Sequence, residues 1–248
     1  MNKPLLITLA SALLPIFGAS ADGLKVELPI QNTILQYEDA QRLETVLSDA
    51  IAHSQIFSPA SYPLANQLFN RDKQATAQQL KHDVLQQLEQ RMHHTDDDTS
   101  INILIEQIKH WAVGYRESLS LDIDKVRIQA EHNPLLAGVY ELITPQRKEH
   151  IQVEGLLARP QALAFASATT LSETLDQTGL LSSANNSYAW VIYPDGHYIK
   201  AGYAYWNNEN IHLTPGTVVF VGFNSDDSEL QRLEENIVKL ISMRKGSQ

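Results

Sequence analysis

Few residues of this 248-residue chain have the types and spacing that catalysis requires. On a strand, Asp122 and Asp124 would share one face, where a carboxylate pair can act as general acid and base. Ser118, Ser120 and His132 are close in sequence, but a nucleophilic triad depends on geometry, and no Gly-x-Ser-x-Gly turn accompanies them. Turn or solvent-facing roles are the simpler interpretation of the two carboxylates. We therefore predict no catalytic residue.

A polar cluster at residues 93–100 contains two histidines and three aspartates, which are suitable metal ligands. Adjacent residues of a helix, however, point about 100° apart, and the spacing fixes no third ligand. The cluster is more typical of the solvated tip of a helical hairpin, with Asp, Thr and Ser side chains capping the second helix. No Gly-rich phosphate loop is present, so the sequence predicts neither a metal site nor a cofactor.

Arg116 and a group of aromatic residues are better candidates for a binding site. An arginine has five donors in a rigid fork, which suits a carboxylate, a phosphate or sugar hydroxyls. The alternative is a structural clamp that binds carbonyl groups between domains, and both interpretations stay open. Tyr205 and Trp206 belong to a dense aromatic group around one predicted hairpin. Such rings stack against sugars, although aromatics at alternate strand positions more often fill a core.

The elements that must position these residues change in type along the chain. Residues 24–37 alternate as in two short strands, and the apolar spacing of residues 39–52 is that of a helix. Two longer apolar stripes predict a helical hairpin over about residues 66–113. Alternation then predicts strands at residues 119–128, 139–143, 150–156, 188–193, 197–201 and 217–223. These elements indicate an α+β fold with a mixed sheet and a helix across it.

Three local signals refine this prediction for the second half. Residues 139–143 and 150–156 flank a turn around Pro145, which predicts a β-hairpin. Thr170 and Glu173 have the spacing of a capping box, which predicts the start of a short helix. An amphipathic helix is expected over residues 226–243, with acidic residues at its start and basic residues at its end. Its apolar stripe would dock on its own protein or serve a partner protein or membrane surface.

The first residues have the pattern of a secretory signal peptide. Lys3 precedes an uncharged apolar stretch, Leu5 to Gly18, and Ala19-Ser20-Ala21 follows as a cleavage site. This stretch is too short to cross a membrane, which needs about 20 residues. No other window is long and apolar enough to span a bilayer. We therefore expect cleavage after Ala21 and a soluble mature protein in the periplasm.

Composition excludes several other functions. The chain has no cysteine, so neither a lipid anchor on cysteine nor a disulfide is expected. The formal net charge is −10, and loss of Lys3 with the signal makes it more negative. Such a surface repels nucleic acid and anionic lipid, because phosphate binding depends on Lys and Arg. An acidic polysaccharide would also be repelled unless a local basic patch receives it.

Five segments carry a resemblance to a known family. They are Gly114-Tyr115-Arg116, Leu121-Asp122-Ile123-Asp124, the run from Asn133 to Leu142, Tyr205-Trp206-Asn207, and the run from Pro215 to Phe223. In this order they resemble the capsule biosynthesis GfcC family. The resemblance implies two β-grasp domains similar to two consecutive domains of the outer-membrane polysaccharide exporter. It also implies a helical hairpin inserted in the first domain and a C-terminal amphipathic helix.

The implied domains have definite expected boundaries. They are a signal peptide over residues 1–21, a first β-grasp domain over 22–133 with the helical hairpin at about 66–113, a second β-grasp domain over 134–224, and the C-terminal helix over 225–248. The family has an arginine in the cleft between its two domains, and Arg116 matches that position. Tyr205 and Trp206 are secondary candidates for stacking against sugar.

The resemblance implies a function in the synthesis or export of a capsule or exopolysaccharide. We expect a non-catalytic accessory protein that binds polysaccharide or the outer-membrane export machinery, with the C-terminal helix as a candidate partner contact. No cofactor is associated with the family. The alternative is a periplasmic polysaccharide-modifying enzyme that uses a cleft near Arg116.

Overall fold

The computed structural model describes residues 23–54, 62–92 and 98–246, which form two sheet-rich halves with several helices. This confirms the predicted α+β class. The expected signal peptide and residues 93–97 of the polar cluster lie outside the described residues. The strands are β1 (Leu24–Leu28), β2 (Thr33–Tyr37), β3 (Gln41–Arg42), β4 (Gln67–Asn70), β5 (Tyr115–Arg116), β6 (Leu135–Leu136), β7 (Gly138–Ile143), β8 (His150–Gly155), β9 (Gln161–Ala164), β10 (Tyr188–Ile192), β11 (Tyr198–Gly202) and β12 (Val218–Val221). The α-helices are α1 (Leu43–Ser54), α2 (Gln74–Met92), α3 (Asp98–Lys109), α4 (Ile123–Ile128), α5 (Leu171–Leu175) and α6 (Ser228–Ser242).

The two large sheets share one topology. The first has the order β2-β1-β7-β4-β5, and the second has the order β9-β8-β12-β10-β11. In each sheet a leading antiparallel hairpin, β1–β2 or β8–β9, pairs in parallel with the last strand of that half, β7 or β12. The short strands β3 and β6 form a separate pair. The chain therefore contains the same strand arrangement twice.

The predicted hairpin of residues 139–143 with 150–156 is wrong. β7 pairs with β1 and β4 of the first sheet, whereas β8 pairs with β9 and β12 of the second. The turn around Pro145 is the crossing between the two sheets, and parallel partners distant in sequence leave no local signal. The first sheet-rich half consequently extends to Ile143, beyond the boundary expected at residue 133.

Two further segments differ from the predicted elements. Residues 67–70, assigned by pattern to the helical hairpin, form the buried strand β4 in the middle of the first sheet. Residues 123–128, expected in a strand, form helix α4. The Asp122 side chain caps this helix by accepting hydrogen bonds from the backbone N–H of Asp124 and Lys125, at 3.0 and 3.4 Å. An aspartate before the first turn thus outweighs the alternating pattern.

The first core lies between the first sheet and helices α1 and α4. Alternate residues of β1 point into it, which is why that strand alternates in sequence. Its buried residues are Leu24, Val26, Leu28, Leu35, Leu43, Val46, Leu47, Ala50, Leu68, Leu121, Val126, Leu136, Tyr140 and Leu142.

The second core joins the second sheet with α5, α6 and the helical pair α2–α3. Helices α2 and α3 lie between β4 and β5 in the chain, yet Leu88 and Leu104 are buried in this second core. The Gln107 side chain fixes α3 to the end of β8 through hydrogen bonds with the backbone O and N of Gly155, at 2.9 and 3.0 Å. The helical pair from the first half therefore covers the second sheet.

The apolar stripe of α6 is also buried in the second core. Leu233 and Ile237 of this stripe are less than 5% exposed. The buried Glu234 carboxylate accepts hydrogen bonds from Trp190 Nε1 on β10 and from Phe223 N after β12, at 2.5 and 2.8 Å. The stripe thus docks within its own chain. Among the described residues, none of the helices has the length and hydropathy to cross a membrane.

Two predicted turn and cap signals are confirmed. Thr170 caps α5, and the Glu173 carboxylate accepts from the Thr170 backbone N–H in return, as a capping box requires. The turn at residues 194–196 joins β10 and β11 as an antiparallel hairpin. This hairpin turn lies next to Arg116 of the first half.

Candidate functional site

Arg116 lies where three parts of the chain meet. It ends β5, opposite Phe69 of β4, at the edge of the first sheet. Its Nη2 atom donates to the carbonyl O of Asn66 at 3.2 Å and of Pro194 at 2.7 Å, and Nη1 donates to Ser242 O at 3.3 Å. These carbonyls belong to the first half, the second half and the end of α6. The contacts are those of the structural clamp.

The guanidinium of Arg116 is poorly solvated. Burial lowers the pKa of Arg116 to about 10, and the negative charge of Asp195 opposes that shift. The group therefore stays protonated at neutral pH. Three of its five N–H donors are used in these hydrogen bonds. A Cβ at Gly196, where φ is +90°, would come within 3.0 Å of the guanidinium carbon, so this turn approaches Arg116 closely because it has a glycine.

An open cleft of about 710 Å³ borders this junction. Its walls come from both halves. Residues 63–64, Asn66, residues 118–122, Lys125 and residues 131–132 lie on one side, and residues 195–198 at the hairpin turn lie on the other. The volume lies in the range of ligand sites. Leu64 and Tyr198 supply apolar surface to the cleft, at 43% and 36% exposure. The remaining lining is mostly hydroxyl, amide and charged groups.

Two of the acidic groups in this cleft are already engaged with backbone. Asp122 caps α4, and Asp195 Oδ1 accepts from the His197 backbone N–H at 2.9 Å. Lys125 and Glu131 add one charge of each sign. The lining is therefore slightly acidic, rich in hydrogen-bonding groups and partly apolar.

A second, smaller pocket borders the same junction and is basic. It has a volume of about 40 Å³ and contains Arg116, Lys148 and Arg244. Tyr193 and Pro194 line this pocket, while the next four residues of the turn line the open cleft.

The residues singled out by sequence are only partly brought together. Ser118, Ser120, Asp122 and His132 all line the open cleft, whereas Asp124 does not. Asp122 serves as a helix cap, so the predicted carboxylate pair on one strand face is wrong. Within the part of the chain that the structure describes, no three His, Cys, Asp or Glu residues are grouped as a metal site would need.

Tyr205 and Trp206 lie in the loop after β11 and are not core residues. Tyr205 is fully exposed and Trp206 is 72% exposed. The loop beneath them is held by the next residue, since Asn207 Nδ2 donates to Ser187 O at 3.0 Å and Asn207 N donates to Ala204 O at 3.0 Å. The two rings are thus displayed on a hydrogen-bonded loop, apart from both pockets. Their stacking against sugar remains a prediction.

The residues after α6 connect the two halves beside Arg116. The Arg244 guanidinium binds both carboxylate oxygens of Glu154 on β8, at 2.8 and 2.9 Å. Lys245 forms an ion pair with Glu141 on β7 of the first sheet. The sequence did not single out Lys148, Arg244 or this connection, because none of them belongs to a motif. The partners of Arg244 and Lys245 are 90 and 104 residues away in the chain.

Two family models match this chain in succession. The model described as capsule biosynthesis GfcC, N-terminal, matches residues 20–147, and the one described as capsule biosynthesis GfcC C-terminal matches residues 159–245. The chain belongs to the capsule biosynthesis GfcC family. The gap between the two matches contains β8, so the division falls close to the crossing between the sheets.

A curated relative is similar to part of the chain. The uncharacterized protein YjbG of Escherichia coli (strain K12) is 39% identical over 127 residues. The match covers 51% of this chain and 52% of the relative, and thus about half of each protein. The relative's name assigns it no activity. Membership of the family associates the present chain with capsule biosynthesis.

Proposed function

We propose that this protein is a non-catalytic accessory protein of capsule or exopolysaccharide biosynthesis or export, which binds polysaccharide in the open cleft between its two halves. The observation that carries the proposal is the cleft itself, about 710 Å³ in volume and lined by Ser, His, charged and apolar side chains from both halves. Membership of the capsule biosynthesis GfcC family supplies the class of ligand. The outer-membrane export machinery is the proposed partner.

The proposed fold assignment is two β-grasp domains, with the α2–α3 pair as an insertion in the first and α6 as an amphipathic C-terminal helix. The repeated strand order, with a parallel central pair in each sheet, supports the assignment. We further propose that the protein acts in the periplasm after cleavage behind Ala21. Mass spectrometry of the protein from a periplasmic extract tests this, and a mature chain that does not begin at Asp22 would refute it.

A binding role fits the engaged carboxylates of the cleft better than a catalytic one. The carboxylates of Asp122 and Asp195 accept hydrogen bonds from backbone N–H groups. Protonation of either side chain during acid–base catalysis would therefore weaken a helix cap or a turn. The alternative enzyme near Arg116 predicts that the purified protein cleaves or modifies the polymer. New reducing ends or a changed chain length after incubation would establish that alternative and overturn the binding role.

The cleft is tested with two matched substitutions of exposed leucines. Leu64 lines the cleft at 43% exposure, whereas Leu135 is 60% exposed and lies outside it. Leu64→Asp removes apolar contact and adds a negative charge, so it is expected to weaken binding of purified polysaccharide by about tenfold or more. Leu135→Asp adds the same charge elsewhere and is expected to bind as the wild type does. Equal affinity of all three proteins would exclude the cleft as the binding site.

A further inference from the structure

The small pocket beside Arg116 has an excess of positive charge on an otherwise acidic protein. Arg116, Lys148 and Arg244 all line it, while the whole chain has a formal net charge of −10. The Glu154 carboxylate neutralises Arg244. Arg116 donates to backbone carbonyls, which carry no net charge. Among the described residues, neither Arg116 nor Lys148 forms an ion pair, although the negative charge of Asp195 acts on Arg116 from outside the pocket.

Lys148 is the least satisfied of these three cations. It forms no hydrogen bond or ion pair with any other residue in the described ranges. Burial lowers the pKa of Lys148, the positive charge of Arg244 lowers it further, and Glu154 opposes both. A half-buried ammonium group beside a second cation is costly until an anion joins it. The same environment lowers the pKa of His150, through burial and then through Lys148.

The size of the pocket limits what enters it. A volume of about 40 Å³ holds roughly three water molecules, since one water molecule needs about 10–15 Å³ of cavity volume. A carboxylate has three heavy atoms and fits this space. The neutral polar side chains of Tyr62 and Gln146 also line the pocket and can form hydrogen bonds to such a group, whereas Gln67 already accepts one from the Gly246 backbone N–H.

We propose that this pocket, centred on Lys148 and flanked by Arg116 and Arg244, binds the carboxylate of an acidic sugar. The carboxylate is inferred from the charges and the volume of the pocket alone. Its assignment to a sugar rests on the proposed function. A local basic site of this kind also supplies what an acidic polymer needs in order to approach a protein of this net charge.

The test is a titration of the full chain with sodium glucuronate, at constant ionic strength, followed by calorimetry and by amide chemical shifts. Glucose, acetate and inorganic phosphate are the comparison ligands. Lys148→Gln removes the ammonium group from the pocket, and Lys239→Gln removes the same charge from an exposed position of α6. Loss of one charge-assisted contact is expected to weaken glucuronate binding by about tenfold or more in Lys148→Gln, and to leave it unchanged in Lys239→Gln.

The outcomes of this titration test the site and its assignment to a sugar separately. Binding of glucuronate but not glucose, lost only in Lys148→Gln, supports the proposal. Binding of phosphate or acetate as tightly as glucuronate would overturn the sugar assignment. Absence of glucuronate binding, or equal binding by both variants, would overturn the site. Failure here is distinct from failure of the cleft, because Leu64→Asp and Lys148→Gln alter different cavities and a neutral polymer tests only the first.

Discussion

The replacement of Gly222 by alanine tests how α6 is docked. A Cβ at this position would overlap the carboxylate of Glu234, and φ there is not in the left-handed region, so the effect is steric. To move away, the carboxylate must break the hydrogen bonds that it accepts from Trp190 Nε1 and Phe223 N, at 2.5 and 2.8 Å. The methyl group that Gly222→Ala adds is therefore expected to break the buried hydrogen-bonded contact between α6 and the second sheet.

The magnitude follows from those two donors. A buried donor left without a partner costs about 1–3 kcal/mol, so the loss of two such contacts is expected to lower the free energy of unfolding by roughly 2–6 kcal/mol. At about 2–4 °C per kcal/mol for a chain of this size, Tm is expected to fall by roughly 4–24 °C. The assay is thermal and urea unfolding followed by circular dichroism. Gly179→Ala is the control, because a Cβ at Gly179 meets no atom within 4 Å.

A double-mutant cycle identifies the cause of the loss. In a Glu234→Ala background the added methyl group has no carboxylate to displace, so Gly222→Ala is expected to cost much less there than in the wild type. If Gly222→Ala melts within about 2 °C of Gly179→Ala, the contact between helix and sheet is not lost. If Gly222→Ala costs the same in both backgrounds, the overlap with Glu234 is not the source of that cost.

Three other predictions concern the clamp, a helix cap and the C-terminal helix. Arg116→Met leaves the Asn66 and Pro194 carbonyls without their donor, so the free energy of unfolding in urea is expected to fall by roughly 2–4 kcal/mol. Replacement of the exposed Arg127 in Arg127→Met is expected to cost less than about 1 kcal/mol. Equal costs of the two variants would contradict the clamp. Backbone hydrogen bonds from Glu229, and then the Arg91 guanidinium, lower the pKa of Asp227 below its ordinary value of 3.8. The ionised Asp227 therefore stabilises the protein at neutral pH, and this contribution is lost as pH falls through the lowered pKa. The Tm difference between the wild type and Asp227→Asn should shrink below about pH 4. A constant difference from about pH 7 to about pH 3 would count against this role. Deletion of residues 225–248 should prevent folding of the second core rather than leave Tm unchanged, because the stripe of α6 is buried there; an unchanged circular dichroism spectrum and Tm would instead favour a partner surface.

The parts of the fold that sequence predicted are those with local causes. The alternation in β1, the turn at residues 194–196 and the capping box of Thr170 and Glu173 each lie within a few residues, and each is confirmed. The parallel pairs β1–β7 and β8–β12 join residues about 60 to 115 positions apart, and no local pattern marks them. Residues 139–143 therefore resembled one arm of a hairpin although they complete the first sheet.

The candidate site was predictable only in part, for the same reason. Arg116 was identified through the family resemblance, and its three carbonyl partners come from loops and a helix end that sequence does not align with it. Lys148 and Arg244 are ordinary basic residues until folding brings them to one pocket. The aromatic pair Tyr205–Trp206 resembled core by its neighbours in sequence, yet its loop turns both rings into solvent.

The most direct test of the central claim is to locate bound polysaccharide on the protein. Amide chemical shifts would be recorded while short fragments of the purified polymer are titrated into the ¹⁵N-labelled chain. We expect the largest changes on both walls of the open cleft, at Ser118 and Lys125 on one side and at Gly196 and His197 on the other. Changes confined to residues outside the cleft, such as the Tyr205–Trp206 loop, or none at all at saturating fragment, would contradict it.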